Sequence, residues 1–314
     1  MKTGFFAIGL AEWRQACELG LNPAVAFLVL ACGTGRDNQT SKWSATAVYK
    51  YSGIRWERGG QAIEQLLNAG LLTLAEGSTK KFPRYKLKIS DDRIWLPKSI
   101  VESVTEEKPA IHRLRETQDA MLLRLFVELY HAQNLAADGG ISRAVYCRKY
   151  TKEIVRDFGS IVYLGFEKDE RLWLTPSNPV VAPHLELDGA DRFKTFGKRM
   201  RTLMEMGFVQ EASYLFESES DDAEILFPLS GPEPEETGLY ALANEVVETS
   251  VAGGSALLDN YSYIVPVYRH MEAAALYGIF RMRFRAHTSN TGAWYASIKD
   301  KSDSARNMFR MATL

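Results

Sequence analysis

The chain has 314 residues, of which 46% are hydrophobic and 25% are charged. This composition is ordinary for a globular protein of about two domains, and it excludes a largely disordered chain. There is no run of 18 apolar residues to span a membrane, and Cys17, Cys32 and Cys147 form no CxxC pair. We therefore expect a soluble, cytoplasmic protein from a reducing compartment, without structural zinc.

The net charge is only −1, but it is unevenly distributed along the chain. Residues 1–90 carry 12 Lys and Arg against 6 Asp and Glu, a net charge of +6. Residues 202–268 contain no Lys or Arg, whereas residues 269–314 carry 8 basic against 3 acidic side chains. Such asymmetry indicates a charged partner, such as nucleic acid, for the basic parts.

The first readable unit of the chain covers residues 22–89. Asn22-Pro23 is typical of a helix start, Ser44 of an N-cap, and Gly70 of the residue just past a helix end. Alternation of apolar and basic residues from Tyr85 onward predicts a strand with one buried and one basic face. The predicted elements are helices over 24–31, 45–51 and 55–68, followed by strands over 71–74 and 85–89.

This order of helix, helix–Gly turn–helix and β-hairpin resembles the winged helix-turn-helix family. The resemblance rests on residues 45–54 (ATAVYKYSGI) and 62–72 (AIEQLLNAGLL), of which the second matches the family's habitual ending before the wing. It implies that residues 55–68 form a recognition helix for double-stranded DNA and that the hairpin is the wing. Gly59 and Gly60 depart from the pattern, since glycine within a helix costs about 1 kcal/mol relative to alanine.

Two sets of side chains in this unit are suited to DNA. At about 100° per residue, one face of the 55–68 helix is apolar and the opposite face is polar, and Arg and Gln pair bidentately with guanine and adenine. An ordinary solvated face, or a winged helix that contacts protein, remains an alternative. The apolar face comprises Trp56, Ile63, Leu66 and Leu67; the candidate DNA contacts are Arg58, Gln61, Gln65 and Asn68 for bases, and Lys50, Arg55, Lys80, Lys81 and Arg84 for phosphates.

The rest of the chain is predicted to contain a second, divergent winged-helix-like unit with an insertion. Its candidate recognition helix, 191–206, carries Lys194, Lys198 and Arg201 opposite an apolar face. Its hairpin turn over 217–222 is acidic and would repel phosphates, so a solvated, salt-bridged helix is an equal alternative to DNA contact. The basic residues 281–287 are expected to pair with the acidic stretch 202–268, and binding of backbone phosphates is the alternative.

The sequence thus predicts a mostly α fold with small β-hairpins, in which tandem winged-helix-like domains precede a C-terminal helical region. The predicted divisions are a winged-helix domain over 1–95, a linker over 96–112, a second winged-helix-like domain over 113–231 and the helical region over 232–314. Additional helices are predicted over 119–135, 143–158, 239–251 and 266–285, and strands over 208–216 and 224–229.

No catalytic or metal-binding motif is recognisable. HExxH, GxSxG, GxxxxGK[ST] and GxGxxG are missing from the sequence, and its five histidines are isolated. We expect no enzyme, no metal and no cofactor, but a sequence-specific double-stranded DNA-binding protein, foremost a transcriptional regulator associated with the nucleoid, with a homodimer as one option. The alternatives are a plasmid or phage replication initiator with two winged helices and a non-enzymatic adaptor whose winged helices bind protein.

Overall fold

The computed structural model of the chain describes residues 4–103, 108–185, 193–285 and 288–312. This part of the chain contains helices and strands in a mixed order. The helices are α1 (Leu10–Glu18), α2 (Leu21–Cys32), α3 (Ala45–Ser52), α4 (Trp56–Asn68), α5 (Ala110–Glu116), α6 (Ala120–His131), α7 (Leu135–Asp138), α8 (Lys194–Glu205), α9 (Leu239–Ser250), α10 (Gly254–Leu258) and α11 (Ser289–Met311). The strands are β1 (Phe5–Gly9), β2 (Thr40–Ser41), β3 (Leu72–Leu74), β4 (Tyr85–Leu87), β5 (Arg93–Pro97), β6 (Gln133–Asn134), β7 (Gly140–Ile141), β8 (Tyr146–Asp157), β9 (Ile161–Leu174), β10 (Val209–Phe216), β11 (Ile225–Ser230), β12 (Tyr263–Tyr268) and β13 (Ala275–Met282).

The described residues form two compact units, and each unit draws on several stretches of the chain. Unit 1 comprises those within Met1–His131, Glu186–Phe208 and Phe284–His287. Unit 2 comprises those within Ala132–Leu185, Val209–Arg283 and Thr288–Leu314. These divisions differ from the predicted ones, because α5, α6 and α8 pack with the N-terminal helices and not with the strands that follow them.

Unit 1 is built around helix α2. Its residues 23–32 are all buried, so the helix has no polar face. Helices α1, α3, α4, α5 and α6 and strand β1 pack on it. A helix that is apolar all round has to be covered on every side, and the neighbours of α2 provide that cover.

Two small antiparallel sheets complete unit 1. In the first, β1 pairs with β5 from Phe5 opposite Pro97 to Gly9 opposite Arg93. In the second, β4 lies between β2 and β3, with Tyr85 opposite both Ser41 and Leu74. Helix α4 packs on β3, so the β3–β4 hairpin directly continues the helical part of the unit.

Unit 2 is dominated by a six-stranded antiparallel sheet in the order β11-β10-β13-β8-β9-β12. Strand β10 pairs with β13 along its whole length, from Val209 opposite Met282 to Phe216 opposite Ala275. Helix α9 packs on β11 and β12, the two outermost strands, and α11 packs on β11 and α9. The largest core of the unit lies between these helices and the sheet.

The predicted fold class is therefore wrong: the chain is not mostly α with small hairpins, and it does not consist of tandem winged-helix-like domains followed by a helical region. The six-stranded sheet takes strands from both of the last two predicted divisions. Residues 143–158 and 266–285, which were predicted to be helical, contribute β8, β12 and β13. All eight residues of β13 are buried, so its sequence ALYGIFRM lacks the apolar–polar alternation that identifies a strand.

Several local predictions in the same region are confirmed. Helix α8 and strand β10 lie within predicted elements, and Gly207 ends the helix with φ of 70°. What differs is the pairing, because β10 lies between β11 and β13 and is an inner strand. The predicted second wing is thus part of a continuous sheet, and α8 belongs to unit 1 while β10 belongs to unit 2.

A buried ion pair crosses the interior of unit 2. The Arg281 guanidinium donates to both carboxylate oxygens of Glu236 at 2.6 Å and to the Tyr214 hydroxyl at 2.8 Å. The Tyr214 hydroxyl in turn donates to Glu236. The side chains of Arg281 and Glu236 are 1% and 0% exposed. For Arg281, this confirms the expected pairing between 281–287 and the acidic stretch; 286–287 lie outside the described residues.

Replacing one partner of this pair should destabilise unit 2 strongly. We expect Glu236→Gln to lower the free energy of unfolding by about 3–5 kcal/mol, because the Arg281 charge stays buried without its counter-charge. Hydrogen exchange of the β10 and β13 amides in the full chain measures this change. Arg269→Ala, which breaks an exposed ion pair with Asp157, is the control and should leave exchange nearly unchanged. Equal exchange rates in Glu236→Gln and the native chain would contradict the prediction.

Candidate nucleic-acid interface

The turn between α3 and α4 is fixed by helix caps and by α5. The Ser44 side chain accepts a hydrogen bond from the Thr46 amide, which confirms the predicted N-cap of α3. Gly53 ends α3 with φ of 70°, and a Cβ there would lie 2.6 Å from Cε1 of His112. The Arg115 guanidinium of α5 donates to the Ser52 carbonyl at 2.8 Å. The direction in which α4 leaves α3 is therefore set by contacts within unit 1.

The two glycines within α4 have different surroundings. A Cβ on Gly59 would lie 3.4 Å from Cγ1 of Val48 in α3, an ordinary van der Waals contact, so an alanine side chain would fit between the two helices. A Cβ on Gly60 would meet nothing within 4 Å. Gly59 thus faces α3 and Gly60 faces open space, and neither position has a close contact that offsets the low helix propensity of glycine.

The polar side chains predicted to contact bases project from one side of α4. Arg58, Gln61 and Gln65 are exposed, and all three line one groove of unit 1. The structure thus brings these three together; Asn68, the fourth, is exposed one turn further along α4. Glu57 and Glu64 are also exposed on α4, although neither was among the predicted DNA contacts. The opposite wall of the groove is formed by Leu19, Gly20, Leu21, Asn22 and Pro23, together with Gln118.

The assignment of Trp56 to the buried face of α4 is wrong, because its side chain is 63% exposed. Trp56 is the first residue of the helix, and the helical periodicity predicts burial only where a neighbouring element covers that turn. Tyr49 in α3 is exposed to a similar degree. These aromatic side chains were missed as surface residues, since the pattern of apolar residues alone does not distinguish a surface aromatic from a core one.

The β3–β4 hairpin carries a row of cations. Lys80, Lys81, Arg84 and Lys86 are exposed, and within the described part of the chain none of them forms an ion pair. Lys88 lies 3.9 Å from Glu12. Because no neighbouring carboxylate neutralises the first four, the hairpin presents a net positive surface that is available to an anionic partner. The two other predicted phosphate contacts, Lys50 at the end of α3 and Arg55 at the N-cap of α4, are exposed as well.

The predicted cations of α8 lie on a different element of unit 1. Lys194, Lys198 and Arg201 are exposed, while Phe196 and Met200 are buried. Helix α8 packs on α6, whereas α4 packs on α2 and α3. The structure therefore places the two predicted basic surfaces on separate parts of unit 1 and does not bring α8 into the groove beside α4.

The described residues were also compared with the features expected of a metal site, a reactive thiol and a membrane span. Within residues 4–103, 108–185, 193–285 and 288–312, no three His, Cys, Asp or Glu side chains come together as metal ligands. Burial raises the pKa of the Cys147 thiol to about 12 and also raises the pKa values of Cys17 and Cys32. None of the described helices combines the length and apolar character needed to cross a bilayer. Comparisons with protein-family models, curated proteins and solved structures found no match.

The geometry of the α3–α4 turn leads to a paired prediction about glycines. We expect Gly53→Ala to destabilise unit 1 by at least about 1–2 kcal/mol, because a side chain at positive φ is strained and collides with His112. Gly60→Ala should instead stabilise it by about 0.5–1 kcal/mol, since it adds helix propensity at an open position. Urea unfolding followed by circular dichroism compares the two variants with the native chain. A stability loss in Gly60→Ala would contradict the described course of α4.

Proposed function

We propose that the chain binds double-stranded DNA through α4 and the β3–β4 hairpin, as a winged helix-turn-helix protein does, and that it acts as a non-enzymatic transcriptional regulator. The observation that carries the proposal is the unpaired basic hairpin that follows a helix whose Arg58, Gln61 and Gln65 line an open groove. Association with the nucleoid and binding as a homodimer belong to the same proposal.

Base recognition is assigned to α4. Its 13 residues give a helix that the major groove of B-DNA can admit, and its polar side chains suit the edges of guanine and adenine. Glu57 and Glu64 would accept hydrogen bonds from cytosine and would repel a misplaced phosphate. Because α4 carries acidic as well as basic side chains, it would favour particular base sequences over non-specific attraction to the phosphate backbone.

Backbone binding is assigned to cations on either side of α4. Lys50 and Arg55 flank its start, and Lys80, Lys81 and Arg84 lie on the hairpin. Five phosphate contacts predict that log affinity falls against log salt concentration with a slope of about −4 to −5 per bound copy. Such contacts position the protein on the duplex without reading its sequence.

The two alternative functions, a replication initiator and a protein-binding adaptor, are not equally compatible with this fold. The replication-initiator interpretation depended on two winged helices in tandem, and the six-stranded sheet removes the second of them. An adaptor that binds protein is favoured by the exposed Tyr49 and Trp56, because aromatic side chains are enriched in protein interfaces. A duplex-binding measurement at physiological salt distinguishes the adaptor from the regulator.

Two alanine variants separate base recognition from phosphate binding. On a duplex selected from a random pool, Arg58→Ala should cost about 1–3 kcal/mol and relax the preference at one base position. Lys80→Ala should weaken selected and scrambled duplexes equally and reduce the salt slope by about 1. Titrations of the full chain at two salt concentrations measure both effects.

The matched control is Lys299→Ala, which removes an exposed lysine from α11 in unit 2. We expect it to bind both duplexes as the native chain does. Equal weakening of both duplexes by Arg58→Ala would make Arg58 a backbone contact. Absence of binding by the native chain at low salt would refute the proposed function.

A further inference from the structure

The tip of the β3–β4 hairpin holds an aromatic ring in solvent. The Phe82 side chain is 68% exposed, the highest value among the large apolar side chains of the described residues. Lys80, Lys81 and Arg84 surround it in sequence, and Lys81 Nζ lies 5.7 Å from the centroid of its ring. Most of Phe82 therefore lies in solvent, beside cations that form no ion pair within the described part of the chain.

The backbone beneath this ring is ordered by a network of hydrogen bonds. The Phe82 amide donates to Thr79 Oγ1 at 3.0 Å, and the Thr79 amide donates to the Phe82 carbonyl at 3.2 Å. The Arg84 amide donates to Ser78 Oγ at 3.0 Å, and the Ala75 amide donates to the Arg84 carbonyl at 2.9 Å. Pro83 restricts the chain further. These hydrogen bonds order the backbone that carries the ring, so little backbone entropy remains to be lost on binding.

We propose that Phe82 is a wedge that enters the DNA minor groove, inserts between two base pairs and kinks the duplex; this inference rests on the proposed function. Proteins that unstack a base step in this way insert an apolar side chain, and they contact the neighbouring groove and backbone with Lys or Arg. Phe82 supplies the apolar group. Lys80, Lys81 and Arg84 supply the cations that hold the phosphates on both sides of the step.

A second hairpin of the same chain, between β8 and β9, provides a comparison for Phe82. Phe158 follows the end of β8, at the turn before β9, and is 56% exposed. The residue before it, Asp157, is paired with Arg269, and Arg156 is exposed with its guanidinium donating to the Val155 carbonyl, so this tip has one such cation and a carboxylate where the Phe82 tip has three cations. Phe158 is therefore an exposed aromatic at a hairpin tip with fewer cations and an adjacent carboxylate, and its ring lies edge-on to that of Tyr163, so it provides the matched control.

The test uses the full chain and a selected duplex that carries 2-aminopurine at the expected step and a donor–acceptor dye pair at its ends. Binding of the native chain should raise the 2-aminopurine fluorescence several-fold and bring the dyes closer together. Phe82→Ala should abolish both signals while weakening binding by no more than about tenfold, which corresponds to 1.4 kcal/mol. Phe82→Leu should retain part of both signals, and Phe158→Ala should behave as the native chain does.

The outcomes separate the wedge from DNA binding itself. If the native chain binds the duplex without raising fluorescence or changing the dye distance, the wedge is refuted and the proposed function stands. If Phe82→Ala gives the native signals, the kink arises elsewhere and the wedge is refuted, which would leave the ring as a contact for another macromolecule. If the native chain does not bind duplex DNA at low salt, the proposed function fails, and the wedge fails with it.

Discussion

The burial of α2 is the constraint on which unit 1 depends. Large apolar side chains gain about 1.5–3 kcal/mol each when they are removed from water, so a helix with no polar face is stable only when it is surrounded. Helices α3 and α4 each use one side for this purpose, and their remaining sides face solvent. The polar groove beside α4 is therefore a consequence of how the core is closed. For the same reason a fragment ending at residue 95 would lose α5 and α6, which cover α2 from the other side.

Features encoded by neighbouring residues were predictable from the sequence. The caps and stops at Ser44, Gly70 and Gly207 lie where they were expected, because a cap depends on a few adjacent residues and on backbone conformation. The exposed positions of Arg58 and Lys86 followed from helical and strand periodicity in the same way. Pairing between distant strands was not predictable. The sequence of β13 does not indicate that this strand pairs with β10 and β8, because both of its faces are buried and it lacks apolar–polar alternation.

The exposure of side chains at the ends of helices and in loops was also not predicted correctly, and this error concerns the candidate interface directly. The periodicity that correctly buries Ile63 and Leu66 also assigned Trp56 to the core. A helical wheel treats every turn as equally covered, but the first turn of α4 extends past its neighbours. Phe82 is similar: it lies in a loop that has no period, so nothing in the sequence distinguishes an aromatic that folds back from one held outward. The hydrogen bonds of Thr79 fix the backbone at Phe82, and only the three-dimensional structure reveals them.

Two stretches of this chain share the order helix, glycine, strand, turn, strand, and their different surroundings explain why only one is proposed to meet DNA. Strands β3 and β4 have three residues each, and Lys80, Lys81 and Arg84 lie in the long connection between them, outside the paired strands, so these cations stay in solvent. Strand β10 pairs with β13 over all eight of its residues, and the β10–β11 hairpin is part of the six-stranded sheet. The acidic turn after β10 would also repel phosphates, whereas the cations after β3 would attract them. The same order of elements thus yields a cationic connection between short strands in one unit and a strand pair within a large sheet in the other, and the length and charge of the strands and their connection account for the difference.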